Sequence, residues 1–202
     1  MRNDLITSLR ANQGLFGLDL ADDAIERLAV FYDLIQANNE FLNLVGPSTA
    51  GEFALRHILE SLTLLDYLPQ NARFADVGAG AGLPSIPCLL VRDDLRAVLI
   101  DSKEKKTKFL DTAIETLGLA NRVEIVNKQF QEVDPAGCIS ITCRALDKFT
   151  ERLPRLLKWA TRRNLLLFGG PNLRDTLTAQ KTTFTEKLMP MSEQRFLFVI
   201  NR

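Results

Sequence analysis

Along the first 70 residues, apolar side chains recur every three or four positions. Ile25, Leu28, Ala29, Tyr32 and Ile35 fall on one helix face, and Asp22 and Asp23 stand near its start, where the helix dipole favours acids. A second helix is predicted over 51–67, with Phe53, Ile58, Leu62 and Leu65 as its buried side and Pro69 barring continuation. Beyond Pro69 the pattern changes to short apolar runs at 74–77, 97–100, 123–126, 138–143 and 165–168. Helical stretches separate them, most clearly 103–117 and 147–160. Strands alternating with helices imply βαβ units and a parallel sheet covered on both faces. The last two runs, 184–188 and 196–200, leave no room for a helix between them and should pair as a hairpin. The expected fold is therefore α/β: a mostly parallel, Rossmann-like sheet of seven strands with a C-terminal antiparallel hairpin. A helical segment over 1–70 precedes one compact unit over 71–202.

Composition leaves that picture intact. With 202 residues, 46% hydrophobic and 25% charged, the chain is neither collagen-like, low-complexity nor disordered. No apolar run approaches the roughly 18–20 residues of a membrane helix. The opening Met1-Arg2-Asn3-Asp4 leads into no compact apolar segment of a secretory signal. Cys88, Cys138 and Cys143 are too few and too uneven for a disulfide framework or a CxxC metal site. These features fit a cytoplasmic protein with no membrane and no metal.

Charge does change the picture. Basic and acidic residues both number 25, yet residues 1–71 hold 4 basic and 10 acidic, leaving 21 and 15 for the rest. Between 144 and 163, Arg144, Lys148, Arg152, Arg155, Lys158, Arg162 and Arg163 stand against only Asp147 and Glu151. Such a cluster can neutralise nucleic-acid phosphates, or it can be a solvated helix face. Lys103, Lys105, Lys106 and Lys108 would extend an RNA surface.

The sharpest motif is Asp76-Val77-Gly78-Ala79-Gly80-Ala81-Gly82, directly after the first strand. Glycines there let the backbone turn sharply and approach a ligand. The nicotinamide fingerprint G-x-G-x-x-G fails, because Leu83 and Ser85 stand where its last glycine would fall. The spacing D-x-G-x-G-x-G is similar to the cofactor loop of class I S-adenosylmethionine-dependent methyltransferases, whose sheet also ends in a hairpin. Asp101 closes the second strand 19 residues past Gly82, where an acid meets the ribose hydroxyls of a nucleoside. The plainer alternative is a tight turn with a helix-capping Asp101. Pro84 and Pro87 fit the first turn of the following helix.

At these residues the chain resembles a known family, ribosomal RNA small subunit methyltransferase G, also called glucose-inhibited division protein B. The likeness runs from about Asn43 to the C-terminus, through Leu42-Asn43-Leu44, Arg56-His57-Ile58-Leu59-Glu60-Ser61 and the loop as far as Pro87. It continues in Leu99-Ile100-Asp101-Ser102 with Lys105-Lys106 and Phe109-Leu110, and in Cys143-Arg144-Ala145. The resemblance implies methyl transfer from S-adenosyl-L-methionine to guanine N7 in 16S rRNA, free or in the small ribosomal subunit, by a monomer. Asp76, Gly78, Gly80, Gly82 and Leu83 would form the methionine and adenosine pocket, and Asp101 with Ser102 would hold the ribose. Phe130 and Gln131 would flank the adenine, and Arg144 would reach the cofactor or the guanine. The chain departs from the family pattern at Ser85 (usually Gly), at Cys143 (usually Ser) and at Phe168-Gly169-Gly170, where the family tends to carry Lys-Gly.

Guanine N7 bears a lone pair and no proton, so its methylation needs alignment and electrostatics rather than a general base. Arg144 would act in that way; its plainer reading is an ion pair with Asp147 or Glu151. His57, the lone histidine, reads as a packing residue. Cys143 reads as a buried thiol, against a competing role as nucleophile in pyrimidine methylation. A small-molecule methyltransferase and a non-catalytic cofactor- or RNA-binding descendant are the alternative functions.

Overall fold

The computed structural model describes residues 1–144 and 148–202. Ala145 and Asp147, and with them the expected helix start at 147 and the Arg144–Asp147 pairing, lie outside the described residues.

Seven strands form one sheet in the order β3-β2-β1-β4-β5-β7-β6. They are β1 (Arg73–Val77), β2 (Arg96–Ile100), β3 (Val123–Val126), β4 (Ser140–Arg144), β5 (Asn164–Gly169), β6 (Thr185–Leu188) and β7 (Phe196–Ile200). The first five pair in parallel, and β7 runs antiparallel to β5 and β6, with Leu188 opposite Phe196. The parallel sheet and its closing hairpin are those that the apolar runs imply. β4 starts two residues later than its apolar run, because the Cys138 N–H turns back to donate to the Pro135 carbonyl.

Alternation along the strands sorts the core into two faces. Phe74, Leu99, Leu166, Phe168, Leu197 and Val199 look one way, and Ala75, Val77, Ile100, Ile141, Cys143, Leu167 and Phe198 the other. The second face packs against α7 (Phe149–Trp159) and α8 (Pro171–Ala179). The first is covered by α5 (Ser85–Val91), α6 (Glu104–Thr116) and the N-terminal helices, so one apolar cluster runs from Leu5 to Val199. Among the described residues, no helix is long and apolar enough to cross a membrane.

The N-terminal helices begin with α1 (Arg2–Asn12) and α2 (Asp22–Leu42). In α2, Ile25, Leu28, Ala29, Tyr32 and Ile35 are buried as their spacing implies. Helices α1 and α8 go beyond the sequence pattern, since each buries only two leucines four residues apart. The helix expected over 51–67 is a composite. It opens with a capping box, in which the Glu52 N–H donates to Thr49 Oγ1 while Glu52 accepts from the Thr49 N–H. From there α3 (Ala50–Phe53) passes through a π-helical turn (Ala54–Leu59), α4 (Glu60–Leu62) and a 3₁₀ turn (Thr63–Tyr67). That last turn, at three residues per turn, shifts the helical phase, so Leu64 is buried where Leu65 was expected. Pro84 stands just before α5 rather than inside it, and Pro87 lies in its first turn.

Candidate active site

Because β1 to β4 run parallel, their carboxyl ends open on one edge. The chain order reverses between β1 and β4, and ligands of open α/β sheets bind at such a switch point. A cavity of about 400 Å³ opens there. Its walls come from the loop after β1, the starts of the segments after β2 and β3, the end of β4, residues 43–46 and His57.

Hydrogen bonds shape the loop. The Gly78 and Ala79 N–H groups both donate to the Ile100 carbonyl (2.9 and 3.1 Å), folding it across the end of β2. Gly80, at φ +50°, then donates its N–H to Asp101 Oδ2 at 2.9 Å, and Asp101 Oδ1 accepts from the Lys103 N–H at 2.8 Å. Loop and carboxylate thus hold each other. A carboxylate offers about four acceptor positions, so two bonds leave capacity for a diol. Gly82 serves a different end: at φ +81°, a Cβ would lie 2.3 Å from Ile86 Cδ1 and 3.3 Å from Leu110 Cδ2. Its glycine lets α5 pack against the loop.

Of the residues expected at the site, Gly78, Gly80, Leu83, Asp101, Ser102, Phe130 and Arg144 line this cavity. Asp76, Gly82 and Gln131 do not. Asp76 is fully buried beneath the loop, where Oδ2 accepts from Ser85 Oγ at 2.5 Å and Oδ1 has no partner. Burial pushes its carboxyl up to about 7, the Ser85 hydrogen bond working against this and the Asp101 charge with it. Ser85, one of the departures from the family pattern, is therefore the residue that hydrogen-bonds one of the two Asp76 oxygens. After β3 the chain makes a 3₁₀ turn (Phe130–Glu132), and Glu132 caps it by accepting from the Gln129 N–H at 2.9 Å. The turn brings Gln129 and Phe130 to the cavity and leaves Gln131 exposed.

Arg144 finds its acid far away in sequence. Nη2 lies 3.1 Å from Oε2 of Glu60, a residue 2% exposed, and also donates to the Arg56 carbonyl. Nη1 donates to Ser61 Oγ at 3.3 Å, and the guanidinium carbon sits 5.3 Å from the Phe168 ring centroid. Burial lowers the Arg144 pKa and the Glu60 charge opposes that. Glu151, its other candidate partner, pairs with Lys148 instead (3.9 Å).

His57 packs on Phe53, with ring centroids 4.8 Å apart, as a structural histidine would, yet it also lines the cavity. Nδ1 has no hydrogen-bond partner. Burial, then the charges of Arg144, Arg56 and Arg195, push the imidazole down to about 4, so it is neutral at pH 7. Cys143 is fully buried in the core of the second sheet face and does not line the cavity, which is no place for a nucleophile. At the end of β5, a Cβ on Gly169 would lie 2.5 Å from Leu173 Cδ2, so packing against α8 favours glycine there.

Lys106, expected on an RNA surface, instead donates Nζ to the Leu42 and Asn43 carbonyls (2.8 and 2.7 Å), tying residues 43–46 to the cavity rim. Val45, Gly46, Lys128 and Gln129 also line the cavity and had no role in the sequence reading. Lys103, Lys106, Lys128, Arg144 and Arg152 line the cavity against the single carboxylate of Asp101, among the described residues. The arrangement offers the glycine loop and the Asp101 carboxylate to a nucleoside, and a cationic rim suited to phosphates. Among the described residues no group of three His, Cys, Asp or Glu side chains is placed to hold a metal ion.

Known proteins resemble this chain over most of its length. The family model described as rRNA small subunit methyltransferase G matches residues 24–195. A "Ribosomal RNA small subunit methyltransferase G" of Neisseria meningitidis serogroup B is 35% identical over 162 residues, covering 80% of this chain and 75% of the relative. One of the same name from Nitrosococcus oceani is 33% identical over 174 residues, covering 84% and 79%. Among solved structures, cofactor-bound Rv0187 from MTB superposes with a TM-score of 0.60 at 17% identity, covering 87% of this chain and 89% of that one, a likeness of fold.

Proposed function

Since the chain belongs to the rRNA small subunit methyltransferase G family, we propose that its methylation of ribosomal RNA falls on N7 of a guanine in 16S rRNA. S-adenosyl-L-methionine is the donor, and it supplies a methyl group on a positively charged sulfur. The cavity fits such a group: the glycine loop leaves its backbone open, and Asp101 keeps acceptor capacity beside it.

The loop backbone from Gly78 to Leu83 holds the methionine and adenosine moieties. Asp101 and Ser102 take the ribose hydroxyls, and Phe130 flanks the adenine, with Gln129 rather than Gln131 beside it. Asp76 and Gly82 support the loop from beneath without touching the ligand. Arg144 meets the guanine edge, and Lys103, Lys128 and Arg152 meet flanking phosphates, with Lys105, Arg155 and Lys158 continuing that basic face. The one observation that carries this reading is the Gly80–Asp101 lock at the mouth of a cavity otherwise rimmed by cations.

Guanine N7 needs no proton removed, and burial holds the basicity of His57, the chain's only histidine, far below that of a base matched to neutral pH. Rate enhancement therefore comes from orienting the lone pair toward the donor and from desolvation. The reading extends to a monomer acting on small ribosomal subunits in the cytoplasm.

The test is methyl transfer from tritiated donor to 30S particles and naked 16S rRNA from cells lacking the protein, with the modified base mapped by mass spectrometry. One 7-methylguanosine is the expected product, and binding to an RNA fragment should weaken as salt rises. Label at another base atom overturns the N7 assignment; label on small metabolites but not RNA overturns the substrate.

A further inference from the structure

A carboxylate as buried as Glu60 costs several kcal/mol unless it is paired. Glu60 has two partners, both remote in sequence. Its Oε2 takes Arg144 Nη2 from the end of β4, at 3.1 Å, and its Oε1 takes Arg195 Nε from the hairpin just before β7, at 2.6 Å. Ser61 Oγ and the Arg56 carbonyl, from the same helical run, hold Arg144 from the other side, and Phe168 lies under its guanidinium. Among the described residues, three of the five guanidinium donors are thus engaged. Without Glu60, the cluster of Arg144, Arg195 and Arg56 beside a neutral His57 would lack the acid shared by Arg144 and Arg195.

We propose that Glu60 is a positioning residue that fixes the Arg144 guanidinium at the cavity, with Arg195 steadying Glu60 from the terminal hairpin. The inference rests on the functional reading above for what Arg144 meets, but not for how Arg144 is held. It ties three regions to one side chain: the N-terminal helical run, β4 and the hairpin. Glu60 itself does not line the cavity, so its effect on the reaction passes through Arg144.

The test uses the full chain and Glu60→Gln, which keeps the size and removes the charge. The first readout is the side-chain ¹⁵N signal of Arg144, whose slow rotation reports a held guanidinium. It should change in Glu60→Gln and change less in Arg195→Met, a variant at the more exposed end of the network that also serves if Glu60→Gln does not fold. The second readout is kinetic. Glu60→Gln should lower kcat by about a hundredfold, the loss that a misplaced group can cause. In an Arg144→Met background the same change should alter kcat by no more than about twofold. An unchanged Arg144 signal, or a full second loss in the Arg144→Met background, overturns the proposal. If the wild type transfers no methyl group to RNA, the functional reading fails, and the Arg144 signal still decides the positioning claim.

Discussion

On the β1–β2 side of the cavity the wall is a glycine-containing loop within 77–83 held by the Gly80–Asp101 bond, with Asp101, Ser102, Lys103 and Lys106 beside it. On the β4 side it is long side chains from distant segments: His57 from the N-terminal run, Arg144 from β4 and Arg152 from α7. Loop surfaces of this kind are fixed by turn geometry, here by glycines at positive φ. Side-chain surfaces are fixed by partners, here Glu60 and through it Arg195. The first kind of wall suits a constant ligand, and the second suits a large substrate whose approach involves the whole fold.

The largest expected effect breaks the backbone side. Gly82→Val places a branched side chain at φ +81°, with its Cβ 2.3 Å from Ile86 Cδ1. Backbone strain alone costs about 1–3 kcal/mol, before the clash is counted. Although Gly82 does not touch the cavity, the loop should shift and calorimetric affinity for S-adenosylhomocysteine should fall by about a hundredfold. Unchanged affinity would show that the loop is softer than its hydrogen bonds imply.

The same contrast governs what the amino-acid sequence reveals. The loop and Asp101 are legible because local turn chemistry and a fixed spacing define them, and the seven strands because apolar runs announce them. Gln131 was expected where Gln129 stands, because the 3₁₀ turn capped by Glu132 sets which side chain turns inward. Asp76 has the right position in the motif, but its register on the inward sheet face buries it. Glu60 was not legible as a partner of Arg144: it precedes Arg144 by 84 residues and reaches it only through the fold, whereas Glu151, close in sequence, pairs with Lys148. His57 was legible as a packing residue, and only the folded chain shows that it packs on Phe53 and also borders the cavity.

A smaller effect sharpens the comparison, because each side hides a titrating group shifted in the opposite sense. Asp76, pushed up to about 7 from 3.8, keeps its proton in the native state after the unfolded chain has lost it, so it makes stability fall as pH rises from about 4 to 7. His57, pushed down to about 4 from 6.5, stays neutral in the native state while the unfolded chain protonates, so it makes stability fall as pH drops from about 6.5 to 4. In the wild type these slopes oppose each other. Asp76→Asn should unmask the histidine slope, with the melting temperature rising on the order of 5 °C from pH 4 to 6.5. His57→Gln should tilt the curve the other way, and parallel curves for both variants and the wild type would refute the two assignments.

The central claim is that the Gly80–Asp101 lock seats a sulfonium nucleoside. Isothermal titration of S-adenosylhomocysteine into the full chain tests it most directly. Such a lock predicts saturable one-to-one binding that Asp101→Ala weakens by about a hundredfold, the loss of two charge-assisted hydrogen bonds. A folded wild-type protein that gives no heat, or an Asp101→Ala variant that binds as tightly, would contradict it.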